Sequence, residues 1–255
     1  MELGFVGKVV VVTGAGAGIG AETARKFSEE GAKVIVADVD PVRGERVVKE
    51  IREKNGDALF VETDVSSLES VNNLFNEVVS HFGKVDILVN NAGIYAKGDI
   101  LSFEEETYQK IMSVNVKGVL LCSKRAAEEM VKHKNGVIVN VASEAGLVAI
   151  ANQMLYNLTK AAVISITKSC AVDLAPYGVR VNCVCPGTTY TPLVENALSK
   201  EQDPVAVRKK LEESRPLNRL GDPTEIATAI LFLASPKMGY ATGAVLSVDG
   251  GYTVW

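Results

Sequence analysis

A tyrosine and a lysine four residues apart are the first candidates for chemistry in this chain. Tyr156 and Lys160 would lie on one face of a helix, separated by about 6 Å of helix rise. A free tyrosine has a pKa near ~10, and a neighbouring ammonium lowers it because it stabilises the phenolate. A downward shift of about three pH units would need about 4 kcal/mol. The pair predicts proton exchange with an alcohol, although an exposed helical pair has the same spacing.

A glycine-rich stretch directly after the first apolar run indicates a pyrophosphate site. Gly14, Gly16, Gly18 and Gly20 fall between a β-branched run and a helical pattern. Small residues let the backbone approach a phosphate, and the helix N-terminus supplies N–H donors and a partial positive charge. A tight structural turn also needs glycine, so the pattern of strand, loop and helix favours the phosphate site.

An acidic residue about 20 positions beyond this loop bears on the choice of cofactor. Asp38 ends the second apolar run, in the sequence Ala37-Asp38-Val39-Asp40. A carboxylate there would accept hydrogen bonds from the adenosine ribose hydroxyls and would repel a 2′-phosphate. Within these four residues, no Arg or Lys would bind such a phosphate. The sequence therefore predicts NAD rather than NADP.

Apolar runs alternate with helical patterns along the chain. The runs are continuously apolar, which indicates strands buried on both faces of a parallel sheet. Strands are predicted at 8–12, 34–37, 58–62, 86–90, 136–141, 179–185 and 244–248, and helices at 21–30, 41–54, 68–82, 103–114, 116–134, 155–175, 205–213 and 225–234. We expect one α/β domain over 1–255, a Rossmann-like doubly wound sheet of seven parallel strands with helices on both faces. Residues 188–218 would form an insertion that closes over the substrate.

Composition excludes several classes of function. The chain has 255 residues, 47% of them hydrophobic, and a net charge of −4. This charge gives no basic surface for nucleic acid, and no apolar run is long enough to span a membrane. Four cysteines without nearby histidines do not fit a zinc site, so we expect reduced thiols and no metal. With no signal-peptide pattern, the sequence predicts a cytoplasmic protein.

Six short motifs occur in the order typical of the short-chain dehydrogenase/reductase family, which the chain resembles over nearly its whole length. They are Thr13-Gly14-x-x-x-Gly18-Ile19-Gly20, Asp64-Val65, Asn90-Asn91-Ala92-Gly93, the set Asn115, Ser143, Tyr156 and Lys160, Pro186-Gly187-x-x-x-Thr191, and Asp249-Gly250-Gly251. The resemblance implies the strand order 3-2-1-4-5-6-7. One departure is Thr189, where many members carry an aliphatic residue that meets the nicotinamide amide through its backbone. A threonine can make the same backbone contact.

The resemblance also implies a role for each catalytic residue. Tyr156 would be the general acid/base, and Lys160 would lower its pKa and hold the nicotinamide ribose. Ser143 would hydrogen-bond the substrate oxygen, and Asn115 would hold a water that links Lys160 to solvent. A surface serine and a helix-kinking asparagine are the alternatives for those two residues. In this family the helices predicted at 116–134 and 155–175 pack against their mates in a dimer, and the C-terminal strand region often completes a tetramer, so the resemblance implies a homotetramer.

These motifs define the residues expected at the site. The cofactor set comprises Gly14, Ala17, Gly18, Ile19, Gly20, Asp38, Val39, Asp64, Val65, Asn91, Ala92, Gly93, Tyr156, Lys160, Pro186, Gly187, Thr189 and Thr191. The substrate set comprises Ser143, Tyr156, Glu144, Gln153 and Leu193. The expected activity is hydride transfer between nicotinamide C4 and a secondary alcohol or ketone.

The substrate stays open between several classes. Segments 94–99, 144–155 and 188–214 are expected to line the pocket, and they mix apolar with polar side chains. Apolar walls would suit a hydrophobic ketone or secondary alcohol, whereas converging Glu, Asn and Gln would suit a sugar or small hydroxy compound. A 3-oxoacyl thioester reductase and a non-catalytic NAD sensor are further alternatives. Hydrolysis fits poorly, because Ser143 does not lie in a Gly-x-Ser-x-Gly motif.

Overall fold

A computed structural model describes residues 3–255, and its strands form one parallel sheet. The strands are β1 (Val9–Thr13), β2 (Lys33–Asp38), β3 (Asp57–Glu62), β4 (Ile87–Asn90), β5 (Gly136–Val141), β6 (Val179–Pro186) and β7 (Val245–Val248). Their order across the sheet is β3-β2-β1-β4-β5-β6-β7, and every neighbouring pair is parallel. The predicted α/β class and the strand order implied by the family resemblance are both confirmed.

Helices cover both faces of this sheet. They are α1 (Gly18–Glu29), α2 (Pro41–Glu53), α3 (Leu68–Phe82), α4 (Glu105–Met112), α5 (Gly118–His133), α6 (Met154–Leu174), α7 (Pro192–Leu198), α8 (Pro204–Glu213) and α9 (Pro223–Ala234). Alternate residues of β1 face opposite layers, since Val10 and Val12 pack with α1, α2 and α9, whereas Val9 and Val11 pack with α3, α5 and α6. Burial of both faces explains why the strands read as continuous apolar runs.

Local capping explains why some element bounds could be read from the sequence. The helix predicted at 68–82 and the strand predicted at 136–141 have those bounds in the structure. At the start of α3, the Ser67 side chain accepts a hydrogen bond from Ser70 N. At its end, Gly83 has a φ of 78°, in the left-handed region that glycine adopts readily. A polar cap and a terminal glycine therefore fix this helix.

Three predicted boundaries need correction. The helices predicted at 103–114 and 116–134 are joined, because α4 continues into α5 through a π-helical turn, Ser113–Lys117. The segment 188–218 holds two helices, α7 and α8, where one was predicted. α7 is too short to show a helical period, although Thr191 caps it and Pro192 takes its first position. β6 runs through Pro186 instead of breaking before it, and the next residue keeps its backbone bond to β7.

A buried polar network joins the centre of the sheet to the helices on one face. Asn90 Nδ2 donates to Ser123 Oγ of α5 at 2.9 Å and to Asn140 Oδ1 of β5 at 2.8 Å. Asn140 Nδ2 donates to Thr167 Oγ1 of α6 at 2.9 Å. All four side chains are buried. β4, β5, α5 and α6 carry the residues of the candidate active site. This network therefore holds together the elements that support that site.

We expect Asn140→Ala to lower the free energy of unfolding by about 2 kcal/mol, because it leaves buried polar groups without partners. Chemical denaturation measures this change. Asn73→Ala, at an exposed position of α3, is the control and should cost less than about 0.5 kcal/mol. An equal loss in both variants would contradict a stabilising role for the network.

Candidate active site

The loop after β1 is held in place by the loop after β4. Thr13 Oγ1 accepts hydrogen bonds from the backbone N–H groups of Asn91 and Ala92, each at 3.1 Å. Asn91 Nδ2 donates to Thr13 O and to Gly14 O, both at 3.0 Å. Gly14 lies so close that an added Cβ would be 2.8 Å from Ala92 Cα. The predicted residues Gly14, Asn91 and Ala92 therefore meet at the carboxyl end of the sheet.

The N-terminus of α1 presents backbone N–H groups at this edge. Ala17 provides no side-chain cap, whereas Asp40, Ser67, Thr191, Asp203 and Asp222 each cap a helix with a side-chain oxygen. Gly20 packs on the loop, where a Cβ would lie 2.2 Å from Gly14 O. Ile19 packs against the core. The first N–H groups of α1 have no side-chain cap, and the loop beside them has no bulky side chains. This arrangement fits the pyrophosphate of a dinucleotide, because the N–H groups can donate to its oxygens.

Asp38 lies beside the same loop at the end of β2. Its Oδ2 accepts from Gly16 N at 2.7 Å, and its Oδ1 accepts from Asp40 N at 3.0 Å. Each oxygen keeps a second acceptor position, which suits ribose hydroxyls. Two arginines that the sequence interpretation did not include also lie here. Arg46 Nη2 donates to Gly16 O at 3.3 Å, and Arg43 Nε pairs with Asp40 at 3.0 Å. Helical spacing within α2 was the signal that could have placed them.

The residues predicted near the adenine follow β2 and β3. Val39 is exposed directly after β2, and Val65 is buried after β3. Asp64 Oδ1 accepts from Ser66 N at 2.9 Å and from Ser66 Oγ at 2.7 Å. A Cβ at Gly118, in the first turn of α5, would lie 2.8 Å from Val65 Cγ2. The start of α5 therefore fixes Val65, while the Asp64 carboxylate is held by its own turn.

Three members of the predicted catalytic set meet at the end of β5. Ser143 follows the strand, and its Oγ accepts a hydrogen bond from Ala145 N at 3.2 Å. Tyr156 lies in the first turn of α6, and the Ser143 hydroxyl acts to lower its pKa. Lys160 lies one turn later and is 6% exposed. Its Nζ donates to Val141 O at 3.0 Å and lies 5.5 Å from the centre of the Tyr156 ring.

Burial controls the proton affinity of the tyrosine and the lysine. It raises the pKa of Tyr156 to about 12, with the Ser143 hydroxyl opposing the shift and the Glu144 charge adding to it. It lowers the pKa of Lys160 to about 8. The ammonium of Lys160 donates to Val141 O and not to the phenol, and the expected lowering of the Tyr156 pKa by Lys160 stays a prediction. Burial thus disfavours the charged form of both groups.

Asn115, the fourth member of the set, lies in the π-helical turn between α4 and α5. Its Oδ1 accepts from Ile94 N at 2.8 Å, and its Nδ2 donates to Ile94 O at 2.9 Å and Thr159 Oγ1 at 3.2 Å. A Cβ at Gly93 would lie 3.4 Å from Asn115 Oδ1 and 3.6 Å from Lys160 Nζ. Asn115 therefore fixes the loop after β4 and stands next to Lys160 across Gly93.

The residues predicted on the nicotinamide side continue from β6. Pro186 ends the strand, and Gly187 N donates to Val248 O of β7 at 2.9 Å. Thr189 is buried, with its hydroxyl turned inward to donate to Gly187 O at 2.9 Å. A Cβ at Gly18 would lie 3.2 Å from Thr191 Cγ2. The start of the 188–218 segment therefore lies over the glycine loop.

The predicted substrate residues do not all face the same space. Gln153 precedes α6, where its backbone forms a bridge with Gly98, and Leu193 is exposed in the first turn of α7. Glu144 must be removed from the set, because its carboxylate is buried in an ion pair with Arg215. Its position directly after Ser143 gave no sign of this pairing, since the partner lies 71 positions away.

Tyr95 contacts the predicted catalytic tyrosine. The sequence placed it only within segment 94–99, which was expected to line the pocket. Tyr95 packs edge-on against Tyr156, with 5.4 Å between ring centres. Tyr95 is partly exposed, so its ring forms a wall at the open side of the site. Its position five residues after β4, at the carboxyl edge of the sheet, was the available signal.

The described residues group no metal ligands and contain no helix that could span a membrane. Between residues 3 and 255, no three His, Cys, Asp or Glu side chains are grouped to hold a metal ion, and a site without metal stays a prediction. Across the same residues, no helix has both the length and the apolar character needed to cross a bilayer. The four cysteines are free thiols, three of them buried.

Comparisons with known proteins agree with this geometry. A family profile described as enoyl-(acyl carrier protein) reductase matches residues 14–253. Cis-4-hydroxycyclohexanecarboxylate dehydrogenase of Sinomonas cyclohexanicum is 41% identical, over 98% of each chain. L-fucose dehydrogenase of Bos taurus is 38% identical, over 97% of this chain and 90% of its own. The crystal structure of 3-ketoacyl-(acyl-carrier-protein) reductase from Brucella melitensis complexed with NADH is 39% identical and superposes with a TM-score of 0.90, over 98% of this chain and 99% of that one.

The profile covers most of the chain, and these relatives match it almost end to end. The strand order, the glycine loop and the group formed by Ser143, Tyr156 and Lys160 agree with the same assignment. The chain therefore belongs to the short-chain dehydrogenase/reductase family, whose members are NAD(P)-binding oxidoreductases acting on CH–OH groups.

Proposed function

We propose that this protein is an NAD-dependent dehydrogenase of a largely apolar secondary alcohol, or a reductase of the corresponding ketone, with Tyr156 as general acid/base. The observation that carries the proposal is the arrangement of Ser143, Tyr156 and Lys160 after β5, with Lys160 buried and its Nζ 5.5 Å from the centre of the Tyr156 ring. The bound nicotinamide would supply the hydride acceptor or donor. Ser143 would hold the substrate oxygen, while Tyr156 gives or takes its proton.

The donor set of the protein supports NAD over NADP. The Asp38 carboxylate faces the glycine loop and would oppose a 2′-phosphate. Arg43 and Arg46 lie close by, but Arg43 is paired with Asp40, and Arg46 is bonded to Gly16 O and lies 3.7 Å from Glu50. The relative from Brucella melitensis was crystallised with NADH. These observations favour NAD, whose adenosine ribose has a free 2′-hydroxyl where NADP carries a phosphate.

The side chains around Tyr156 support an apolar substrate over a sugar. Of the charged side chains in the lining segments, Glu144 is buried against Arg215, and Lys97 is paired with Glu201 at 2.8 Å. The aromatic wall of Tyr95 remains beside Tyr156. A flat aromatic wall suits a ring-shaped alcohol, and one relative is a dehydrogenase of a hydroxycyclohexane carboxylate. Sugars and 3-oxoacyl thioesters are the other classes that the relatives represent.

We also propose a single domain, a homotetramer and a cytoplasmic location. All seven strands share one sheet. The C-terminal residues Val254 and Trp255 are apolar and exposed, which supports burial of this end between subunits. Light scattering on the purified protein measures the assembly. Free thiols at all four cysteines support a reducing compartment.

Replacement of the catalytic tyrosine is the first test. We expect Tyr156→Phe to lower kcat by about 10²- to 10⁴-fold, because the proton of the substrate hydroxyl loses its acceptor. The assay follows NADH absorbance with a panel of cyclic alcohols and ketones, sugars and 3-oxoacyl thioesters. Binding of NADH, measured by fluorescence, should persist. Tyr177→Phe, at an exposed tyrosine, is the control and should keep full activity.

Robust turnover by Tyr156→Phe would refute the proposed mechanism. Stoichiometric NADH binding without turnover of any panel member by the wild-type protein would favour a sensor. Preference for sugars within the panel would instead overturn the apolar substrate class.

The pKa of Tyr156 gives a second test. The phenolate fraction rises with pH, and with a pKa of about 12 it stays very small at neutral pH. In the ultraviolet difference between the wild type and Tyr156→Phe, we expect no ionisation of this residue below pH 10 without nucleotide. Saturating NAD⁺ should move the ionisation to lower pH, because its ring carries a positive charge. NADH, whose ring is neutral, is the matched control, and equal shifts with both would be inconsistent with this account.

Cofactor preference gives a third test. We expect Asp38→Ala to raise kcat/KM for NADP, relative to kcat/KM for NAD, by roughly tenfold or more. The reason is that the substitution removes a repulsion of at least about 1.4 kcal/mol between the carboxylate and the 2′-phosphate. Steady-state kinetics with both cofactors measure the ratio. Asp57→Ala, at an exposed position at the start of β3, is the control and should leave it unchanged. An unchanged ratio in Asp38→Ala would show that the carboxylate does not select the cofactor.

A further inference from the structure

An ion pair that the proposed chemistry does not use is buried directly beside Ser143. Glu144 Oε1 and Arg215 Nη2 are 2.6 Å apart, and the two side chains are only 4% and 3% exposed. Glu144 begins the short turn that follows Ser143. Arg215 belongs to the far end of the 188–218 segment. The pair therefore joins the catalytic turn to the segment that covers the site.

The guanidinium of Arg215 also binds both ends of that segment. Its Nη2 donates to Thr188 Oγ1 at 2.5 Å, at the start of the segment. Its Nη1 donates to Leu211 O at 2.5 Å and to Ser214 Oγ at 2.9 Å, near the end. Leu211 lies in the last turn of α8, so Arg215 satisfies one of the carbonyls that a helix leaves free at its C-terminus. The ring of Tyr252 packs against the guanidinium at 5.0 Å.

The helices inside the segment have few other anchors. α8 has no buried residue, and α7 buries Leu198 alone. Gly221 N donates to Thr188 O at 3.0 Å, and Tyr190 N donates to Gly221 O at 2.9 Å, so these bonds close the base of the segment. At the outer end, the bridge from Lys97 to Glu201 is exposed, and exposed pairs contribute little. The position of α8 therefore depends mainly on contacts at the base, where Arg215 and Glu144 lie.

The pair is poised so that loss of one partner affects the other. Burial raises the pKa of Glu144, with the nearby Asp249 adding to the shift, while Arg215 and Thr188 oppose it. Without Arg215, the Glu144 carboxylate would have neither a countercharge nor access to water, so it would have to take up a proton or move. Either response removes the ion pair that joins the turn carrying Ser143 to the 188–218 segment.

We propose that the buried pair of Glu144 and Arg215 holds the 188–218 segment in register with the turn that carries Ser143. The two residues are positioning residues, because they act on the substrate through Ser143, Thr188 and α8. The expected change in kcat/KM rests on the proposed function. The expected change in proteolysis of the segment can be measured without a substrate.

Limited proteolysis and kinetics on the full-length protein test the proposal together. The segment contains trypsin sites at Lys200, Arg208, Lys209 and Lys210. Trypsin does not cleave before proline, so the bond from Arg215 to Pro216 adds no site. We expect Glu144→Gln and Arg215→Met to speed cleavage within the segment by roughly tenfold or more, since cleavage follows the population of open states. We also expect kcat/KM to fall by about 10- to 100-fold, because misplacement of positioning groups costs that much.

A double variant separates positioning from stability. Glu144→Leu/Arg215→Met removes both charges, and such apolar replacements often restore stability. We expect its melting temperature to recover while segment cleavage stays fast and kcat/KM stays low. Arg219→Met is the control, because it breaks an exposed pair with Glu225 near the same segment. It should match the wild type within about twofold in both measurements.

Two outcomes would overturn the proposal. One is a cleavage rate in both single variants within about twofold of the wild type, since the segment would then be held by other contacts. The other is a double variant that regains wild-type kcat/KM together with its melting temperature, since the pair would then serve stability alone. If the single variants do not fold, the double variant decides. If no substrate is turned over by the wild type, the proposed function fails and the cleavage rates still decide this proposal.

Discussion

The crossover from β3 to β4 is the constraint on which the site depends. β4 pairs with β1 on the side opposite β2, so the loops after β1 and β4 meet where the strand order reverses. The side chains of Thr13 and Asn91 join those loops by hydrogen bonds. The glycine loop, Gly93 and Asn115 all take their positions from this junction. Parallel strands buried on both faces leave the carboxyl edge as the place where polar groups can gather.

Burial is the second physical theme of the site. Tyr156, Lys160 and Glu144 are titratable groups within a short distance of Ser143, and burial disfavours the charged form of each. Only Glu144 has a buried countercharge, from Arg215. The ammonium of Lys160 instead donates to a backbone carbonyl. A site of this kind responds strongly to a charged ligand, because little water is present to screen the new charge.

The sequence predicted the fold class, the seven strands and most element bounds, because these depend on local signals. Continuous apolar runs marked the strands, and Ser67 with Gly83 marked the ends of α3. The positions of Tyr156 and Lys160 on one helix followed from their spacing. The strand order came from the family resemblance, since alternation of elements cannot specify it.

What escaped prediction depends on contacts between distant segments. The pairing of Glu144 with Arg215 and the approach of Tyr95 to Tyr156 need the folded chain, because no local pattern links those residues. The bond of Lys160 to Val141 O escaped prediction for the same reason, since the spacing placed the lysine near the tyrosine but did not identify its hydrogen-bond partner. The π-helical turn at Asn115 replaced an expected break because side-chain bonds to Ile94 sustain it.

The absence of buried residues in α8 has a consequence for how this protein can change. Substitutions on an exposed helix cost little stability, whereas those in the strands or in α3 disturb close packing. The exposed surface of α8 and of the first turn of α7 can therefore be substituted with little effect on the folding of the sheet. Such a division lets new substrate preferences arise on an unchanged catalytic framework, provided that the base of the segment is kept.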